Sequence, residues 1–292
     1  MKIILFGKNG QVGNEICKLS AVDRNFISYD SSEINFLDQE KIKEVICITK
    51  PNIIINAAAY TKVDEAEDDY ENAYNINSLA LKTISECALK QNATLVHYST
   101  DYVFDGNKKS PYTEDDICNP ISKYGVTKLQ GEINIINSGC KYKIFRTSWV
   151  VSEHGNNFIK TIFKLANERK NLKIVSDQVG VPTSAKLIAS VTLKMIKSNN
   201  MNKSNIYNLV PNGQTNWYKI ACYIINYAQK KGYKFKLDES KVFPISSENY
   251  KTRAKRPQNS LLSNLKLSNE LNEEMPEWQE NINPIIDMLI KN

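Results

Sequence analysis

Tyr124 and Lys128 stand four residues apart in the segment Ile121-Ser122-Lys123-Tyr124-Gly125-Val126-Thr127-Lys128. On a helix that spacing puts both side chains on one face. A free phenol ionises near pH 10. A neighbouring ammonium would lower that value, and the positive ring of an oxidised nicotinamide would lower it further. Such a tyrosine can serve as general acid or base near neutral pH, delivering a proton to a sugar oxygen or removing one. Lys128 could also hold the ribose hydroxyls beside a nicotinamide. Upstream, an apolar run ends in Ser99-Thr100-Asp101, where Thr100 can hydrogen-bond the same substrate oxygen. A Tyr-x-x-x-Lys pair arises by chance in many proteins. Its place after a threonine and far downstream of a glycine-rich turn is what gives it meaning.

That turn is Gly7-Lys8-Asn9-Gly10-Gln11-Val12-Gly13. It follows an apolar run and opens a helical pattern. In a dinucleotide turn, Gly7 permits the tight bend, Gly10 lets backbone approach a pyrophosphate, and Gly13 lets the helix pack close to the sheet. The free N–H groups of the helix start would then face the phosphates. The bland reading is a structural strand–helix turn; its position on the first strand favours the dinucleotide site. Asp30 ends the second strand, where a carboxylate would bind the adenosine ribose hydroxyls and repel a 2′-phosphate, favouring NADH. Its alternative is a turn residue before Ser31-Ser32. Asn56-Ala57-Ala58-Ala59-Tyr60-Thr61 closes the third strand with small residues against which a flat cofactor could lie. The run from Asp64 to Asp69 reads as a solvated helix start. His97 and His154 are the two histidines. His97 falls inside a strand and reads as structural, His154 falls in a polar loop, and neither makes a zinc site.

The elements that must position these residues alternate. Strands are expected at 3–6, 26–29, 53–56, 95–99 and 143–149, and helices at 11–19, 38–49, 74–91 and 124–137. The second half adds helices at 157–168, 184–197 and 217–231, strands at 173–176, 206–210 and 242–245, a polar loop at 198–205 and a terminal helix at 278–290. This implies an α/β fold: a doubly wound, Rossmann-type parallel sheet with right-handed crossovers and a smaller C-terminal α/β cap. Residues 1–150 are expected to bind NAD(P). Residues 151–292 should form mainly the substrate cap, with some segments returning to the sheet.

Bulk properties exclude other classes. The 292 residues are 41% hydrophobic and 24% charged, a globular composition. The net charge of +6 is spread widely, and its densest run, Lys251 to Arg256, is too short for a nucleic-acid groove. Six scattered cysteines without a CxxC pair read as reduced thiols. No apolar stretch is long enough for a signal peptide or a membrane span, so a cytoplasmic protein is expected.

The quoted motifs resemble the extended short-chain dehydrogenase/reductase family, and within it the enzymes that reduce a dTDP-linked 4-keto-6-deoxyhexose. Further matching pieces are His97-Tyr98-Ser99-Thr100-Asp101-Tyr102-Val103-Phe104, Phe145-Arg146-Thr147-Ser148-Trp149-Val150, Asp177-Gln178-x-Gly180-x-Pro182-Thr183 and Arg256-Pro257-x-Asn259-Ser260, so the resemblance covers nearly the whole chain. It implies that Gly10, Gln11, Val12 and Gly13 hold the pyrophosphate of NADH or NADPH. Asp30, Asn35 and Phe36 would surround the adenosine, and Ala59, Tyr60, Thr61 and Tyr98 would line the cofactor cleft. Thr100, Tyr124 and Lys128 would form the catalytic set. Val63, Asp101 and Trp149 would contact a nucleotide-sugar substrate, with Arg256 at its phosphates. Val151 departs from the tyrosine often found there. Some family members bind magnesium at a dimer contact; the carboxylates of 273–277 show no decisive pattern, so no metal is assigned, and the chain is expected as monomer or homodimer. Two rival readings stay open: a non-catalytic regulatory subunit of the same fold, and a nucleotide-sugar epimerase or dehydratase. A 4,6-dehydratase usually carries an Asp-Glu pair after the threonine, whereas Asp101 is followed by Tyr102.

Overall fold

The runs 3–6 and 53–56, apolar except for Asn56, are buried at every position, the signature of parallel strands covered on both faces. In the computed structural model, which describes residues 1–21, 24–198, 200–201 and 203–291, the strands are β1 (Ile3–Phe6), β2 (Phe26–Tyr29), β3 (Ile53–Asn56), β4 (Thr94–Thr100), β5 (Lys141–Thr147), β6 (Val150–Val151), β7 (Leu172–Val175), β8 (Val179–Gly180), β9 (Thr183–Ser184), β10 (Asn205–Asn208), β11 (Thr215–Asn216) and β12 (Val242–Ile245). The helices are α1 (Gln11–Ser20), α2 (Gln39–Thr49), α3 (Tyr70–Tyr74), α4 (Ala80–Lys90), α5 (Lys123–Asn137), α6 (Phe158–Glu168), α7 (Ala185–Lys197), α8 (Trp217–Lys230), α9 (Leu265–Leu271) and α10 (Trp278–Lys291).

Six strands form one parallel sheet in the order β10-β5-β4-β3-β1-β2. Alternation along each strand feeds two cores. Ile3 and Leu5 of β1 pack with Ile16 of α1 and Ile188 of α7 on one face. Ile4 and Phe6 pack with Ile42 of α2 and Ile84 of α4 on the other. The chain turns to one side of β1 for β2 and to the other for β3. This reversal opens a crevice at the carboxyl end of β1, where open α/β sheets bind ligands. A third core joins α6, α8 and α10 beside the sheet, through residues such as Ile162, Ile224 and Ile285, with β7 and β12 paired parallel at its edge. The sheet is not confined to the first half of the chain: α7 lies on α1, and β10 extends the sheet beyond β5.

Two expectations are corrected and one helix is added. The helix expected at 74–91 starts earlier: α3 runs through a π-helical turn, Asn75–Leu79, into α4. The wide turn fits against α5 because residue 131 is glycine; a Cβ there would lie 2.2 Å from the Asn77 carbonyl oxygen. The strand expected at 143–149 breaks after Thr147, because Trp149 turns the chain with φ +48° before β6. Helix α9 has no counterpart in the sequence reading, being only seven residues long. Asn199 and Asn202 of the expected loop 198–205 lie outside the described residues, and Asn205 belongs to β10.

Candidate active site

Gly7 adopts φ +89°, and a Cβ on it would lie 2.6 Å from the Ala58 nitrogen. A Cβ on Gly13 would lie 2.0 Å from the Gly7 carbonyl oxygen, so α1 can enter the turn only through glycine. Gly10 caps α1 without a side-chain hydrogen bond, leaving the positive end of the helix dipole open to an anion. The adjoining cleft, about 240 Å³, is lined by Gly7, Gly10, Asp30, Asn35, Phe36 and Ala57 to Ala59 among others. Its small residues, open helix end and carboxylate fit a dinucleotide. Asp30 lines the cleft and, as its turn reading expected, caps the following turn, accepting from the Ser32 hydroxyl at 2.6 Å and the Ser32 N–H at 2.9 Å. The Ser32 hydroxyl holds its carboxyl down at about 2, aided by Lys8, whose Nζ is 3.6 Å away. Gln11 turns its side chain toward the second half of the chain, its Oε1 accepting from Ser152 Oγ and Asn157 Nδ2, while Val12 packs into the core on the α1 face.

Helix α5 carries Tyr124 and Lys128. Ser122 caps it, accepting from the Gly125 N–H at 3.2 Å. Gly125 has no room for a Cβ, which would meet the Tyr102 carbonyl oxygen at 2.3 Å; this contact seats the helix against the turn after β4, and thus Tyr124 against Thr100. The Tyr124 phenol lies within the influence of the Thr100 hydroxyl, which partly opposes its upward shift. Thr100 Oγ1 donates to Asp101 Oδ1 at 3.0 Å and accepts from the Tyr102 N–H at 3.2 Å. Burial raises the Asp101 carboxyl to about 6, opposed by the Ser260 and Thr100 hydroxyls. Its Oδ2 is buried and lacks a well-formed hydrogen bond among the described residues.

The expected lowering of the Tyr124 pKa by Lys128 is not found. Burial pushes the Tyr124 phenol well up, and the Asp101 charge adds to this. The physical reason is where Lys128 points. Its Nζ donates to the Tyr98 carbonyl at 2.7 Å and lies 3.1 Å from His97 Nε2, on the strand side of the helix. Burial lowers Lys128 itself to about 8, with Glu132 opposing. Tyr98 meets the site through that carbonyl, since its hydroxyl is 2.8 Å from Thr192 of α7. His97, buried as its strand position suggests, also meets Lys128 and Asn56 through its ring. Asn77, in the π-helical turn, was also missed; it holds both the Tyr60 N–H and carbonyl and the Thr127 hydroxyl. Tyr60 and Val63 pack around Tyr124, and Thr61 is exposed on the same loop.

A second cleft, about 1180 Å³, lies between α6, α8, β7 and the segment 247–258. Trp149, whose left-handed backbone marks strain of the kind found at functional sites, stacks on Trp217 at 3.7 Å. Gly180 lies beneath Trp149, where a Cβ would be 2.5 Å from the indole, and Trp217 donates to Gln178 at 3.2 Å. Trp217 lines the cleft and carried no sequence signal beyond its place at a helix start. Arg256 also lines it, with one guanidinium nitrogen 2.7 Å from Asp64 and a buried Nε without a partner among the described residues. Arg253 pairs with Asp68 at 2.6 Å. The acidic run is thus no merely solvated helix start: tertiary contact brings it against the basic run of 251–256. Among the described residues no group of three or more His, Cys, Asp or Glu could hold a metal ion, and no helix is long and apolar enough to cross a membrane.

The family described as RmlD substrate binding domain matches residues 1–290. A dTDP-4-dehydrorhamnose reductase of Escherichia coli (strain K12) is 39% identical over 99% of this chain and 98% of its own. The crystal structure of a dTDP-4-dehydrorhamnose reductase from Clostridium acetobutylicum superposes with a TM-score of 0.90 at 37% identity, covering 99% of both chains. Another, from Bacillus anthracis in complex with NADP, gives 0.90 at 32% identity, covering 99% of this chain and 100% of its own. With the glycine turn, the Thr-Tyr-Lys cluster and the tryptophan-lined cleft spread over the matched length, the chain belongs to the RmlD family of sugar-nucleotide oxidoreductases.

Proposed function

We propose that the protein reduces dTDP-4-dehydro-6-deoxy-L-mannose (dTDP-4-dehydrorhamnose) to dTDP-L-rhamnose with NADH or NADPH. The observation that carries this reading is the placing of Thr100, Tyr124 and Lys128 in an enzyme matched to such reductases along its length. The cleft beside Gly7 and Gly10 would take the dinucleotide, with Asp30, Asn35 and Phe36 at the adenosine and Ala59, Tyr60 and Thr61 along its course. When bound, the reduced nicotinamide supplies the hydride for the sugar C4 carbonyl. Tyr124 then gives its phenolic proton to the developing alkoxide. Thr100 orients that oxygen, and Lys128 would hold the ribose and restrain the phenol. Val63, Asp101 and Trp149 would face the deoxysugar, and Arg256 the diphosphate. Fixing the remote nucleotide orients the sugar for transfer. In this reading residues 1–150 mainly bind cofactor and 151–292 mainly bind substrate, with α7 and β10 lending support to the sheet.

The test is to incubate the protein with dTDP-4-dehydro-6-deoxy-L-mannose and each reduced cofactor, following the loss of reduced-nicotinamide absorbance. Consumption that depends on the sugar nucleotide is expected. Cofactor binding without turnover would favour the regulatory-subunit reading.

A further inference from the structure

His97 is 1% exposed on β4, and its ring joins two strands to the reacting helix. Nδ1 lies 3.2 Å from Asn56 Nδ2 on β3. Nε2 lies 3.1 Å from Lys128 Nζ on α5. A third contact orients the Asn56 amide: the Ala58 N–H donates to Oδ1 at 3.1 Å. Nδ2 therefore faces His97 as a donor. A neutral imidazole has one N–H and one lone pair. With the Nδ1 lone pair taken by Asn56, the ring proton sits on Nε2 and points at Lys128. An ammonium there has three N–H groups and no lone pair, so donor meets donor. A neutral amine accepts from Nε2–H and still donates to the Tyr98 carbonyl.

We propose that Asn56 and His97 form a positioning chain that weakens proton binding at Lys128, so that Lys128 takes up a proton as the nicotinamide cofactor binds. This rests on the reading of Lys128 as a contact of the nicotinamide ribose. Burial acts in the same direction and brings Lys128 to about 8. The ionisable groups around it do not compete near that pH. On α5, Tyr124 is pushed well up and Glu132 is bound to Arg146 of β5 at 2.7 Å. On β4, burial pushes the Tyr98 phenol up and His97 far down. Asp101 beyond it titrates at about 6. The proton balance closes over a cycle: Tyr124 gives one proton to the alkoxide per carbonyl reduced and regains one from solvent, while the proton that Lys128 Nζ takes up as cofactor binds returns to solvent when the cofactor leaves. The other tautomer of His97, with Nδ1–H toward the Asn56 main-chain carbonyl, would leave Nε2 free to accept from a permanent ammonium, and no uptake would follow.

The test is calorimetric titration of the protein with NADPH near pH 8, in two buffers of different ionisation enthalpy. A group at its pKa is half protonated, so the wild type should take up about half a proton per cofactor bound. Asn56→Asp keeps an acceptor for the Ala58 N–H but presents a second acceptor to Nδ1. The ring proton moves to Nδ1, Lys128 stays an ammonium, and uptake falls toward zero. His97→Gln, whose amide oxygen can face Lys128, should do the same, which covers the case in which Asn56→Asp does not fold. Lys128→Met should remove the uptake altogether. Binding by wild type without proton uptake, or equal uptake in wild type, Asn56→Asp and His97→Gln, would overturn the inference. Failure of the wild type to bind NADPH would instead overturn the cofactor reading on which it rests.

Discussion

Burial and the Asp101 charge make Tyr124 hold its phenolic proton tightly, as the proposed proton donor must until an alkoxide develops on the substrate. Replacing it with Phe keeps the ring packing and removes the proton, so turnover should fall by roughly 10²–10⁴-fold with the fold intact, as steady-state assays and a melting curve would show. Lys128 is 2% exposed, so its charge is held at the expense of stability. The fold favours the neutral amine, whose pKa is lowered from 10.5 to about 8. The stability this group contributes is therefore greatest above its unfolded value and is lost as pH falls through 8. Lys128→Met should raise Tm at pH 7, by on the order of 1–3 kcal/mol in stability, while abolishing reductase activity. The gain should vanish above about pH 10.5; a lower Tm at neutral pH would refute it. Asp30 lies beside the cationic Lys8, and Asp30→Ala should shift the ratio of specificity constants toward NADPH over NADH by relieving repulsion of the 2′-phosphate. An unchanged ratio would mean that its role is confined to the Ser32 turn.

The elements around the nucleotide turn differ in what they tolerate. Gly13 sits under α1 with no space for a Cβ, whereas the nearest atom to a Cβ on Gly10 is 3.4 Å away and its φ is −74°. The two glycines thus differ: Gly13 is held by the backbone of Gly7 and Lys8, whereas the fold leaves room for a Cβ on Gly10. Gly13→Ala should lower Tm by several degrees and disturb the turn as α1 shifts away from Gly7. Gly10→Ala should leave Tm nearly unchanged and weaken NADPH binding, measured by fluorescence titration. Equal cofactor affinity in Gly10→Ala and wild type would show that the dinucleotide does not approach this backbone. The π-helical turn serves α5 in a similar way, since its wide bend is matched to Gly131 and brings Asn77 to the Tyr60 loop.

At the scale of the molecule, the first and second halves meet through charge as well as through the shared sheet. Asp64 and Asp68 pair with Arg256 and Arg253, of which Arg256 lines the larger cleft. Arg253 and Asp68 are largely exposed, so that pair adds little to stability. Arg256 differs: it is half-buried, and its Nε has no partner among the described residues, which leaves donor capacity for an anion. Arg256→Met should raise KM for the sugar nucleotide about tenfold or more, the worth of one charge-assisted contact, with a smaller effect on kcat. A KM equal to that of wild type would remove Arg256 from the diphosphate site.

The sequence by itself determined the alternating strands and helices, the glycine turn, the shared helix of Tyr124 and Lys128, and the family. These are local signals: a period of two or 3.6, glycines at fixed offsets, and a four-residue spacing that puts two side chains on one helix face. Tertiary structure alone decided the rest, because those properties depend on residues far apart in the chain. The acidic run at 64–69 looked solvated until a segment nearly 190 residues later folded against it. Trp217 became part of a cleft only by stacking on Trp149. His97 read as a buried strand residue because nothing in its neighbourhood in sequence says which atom its ring meets; β3 and α5 supply Asn56 and Lys128. The direction of the Tyr124 and Lys128 pKa shifts follows the same rule. Spacing placed the two side chains on one face, but burial, and the strand carbonyl and imidazole that Lys128 meets, fixed their proton affinities.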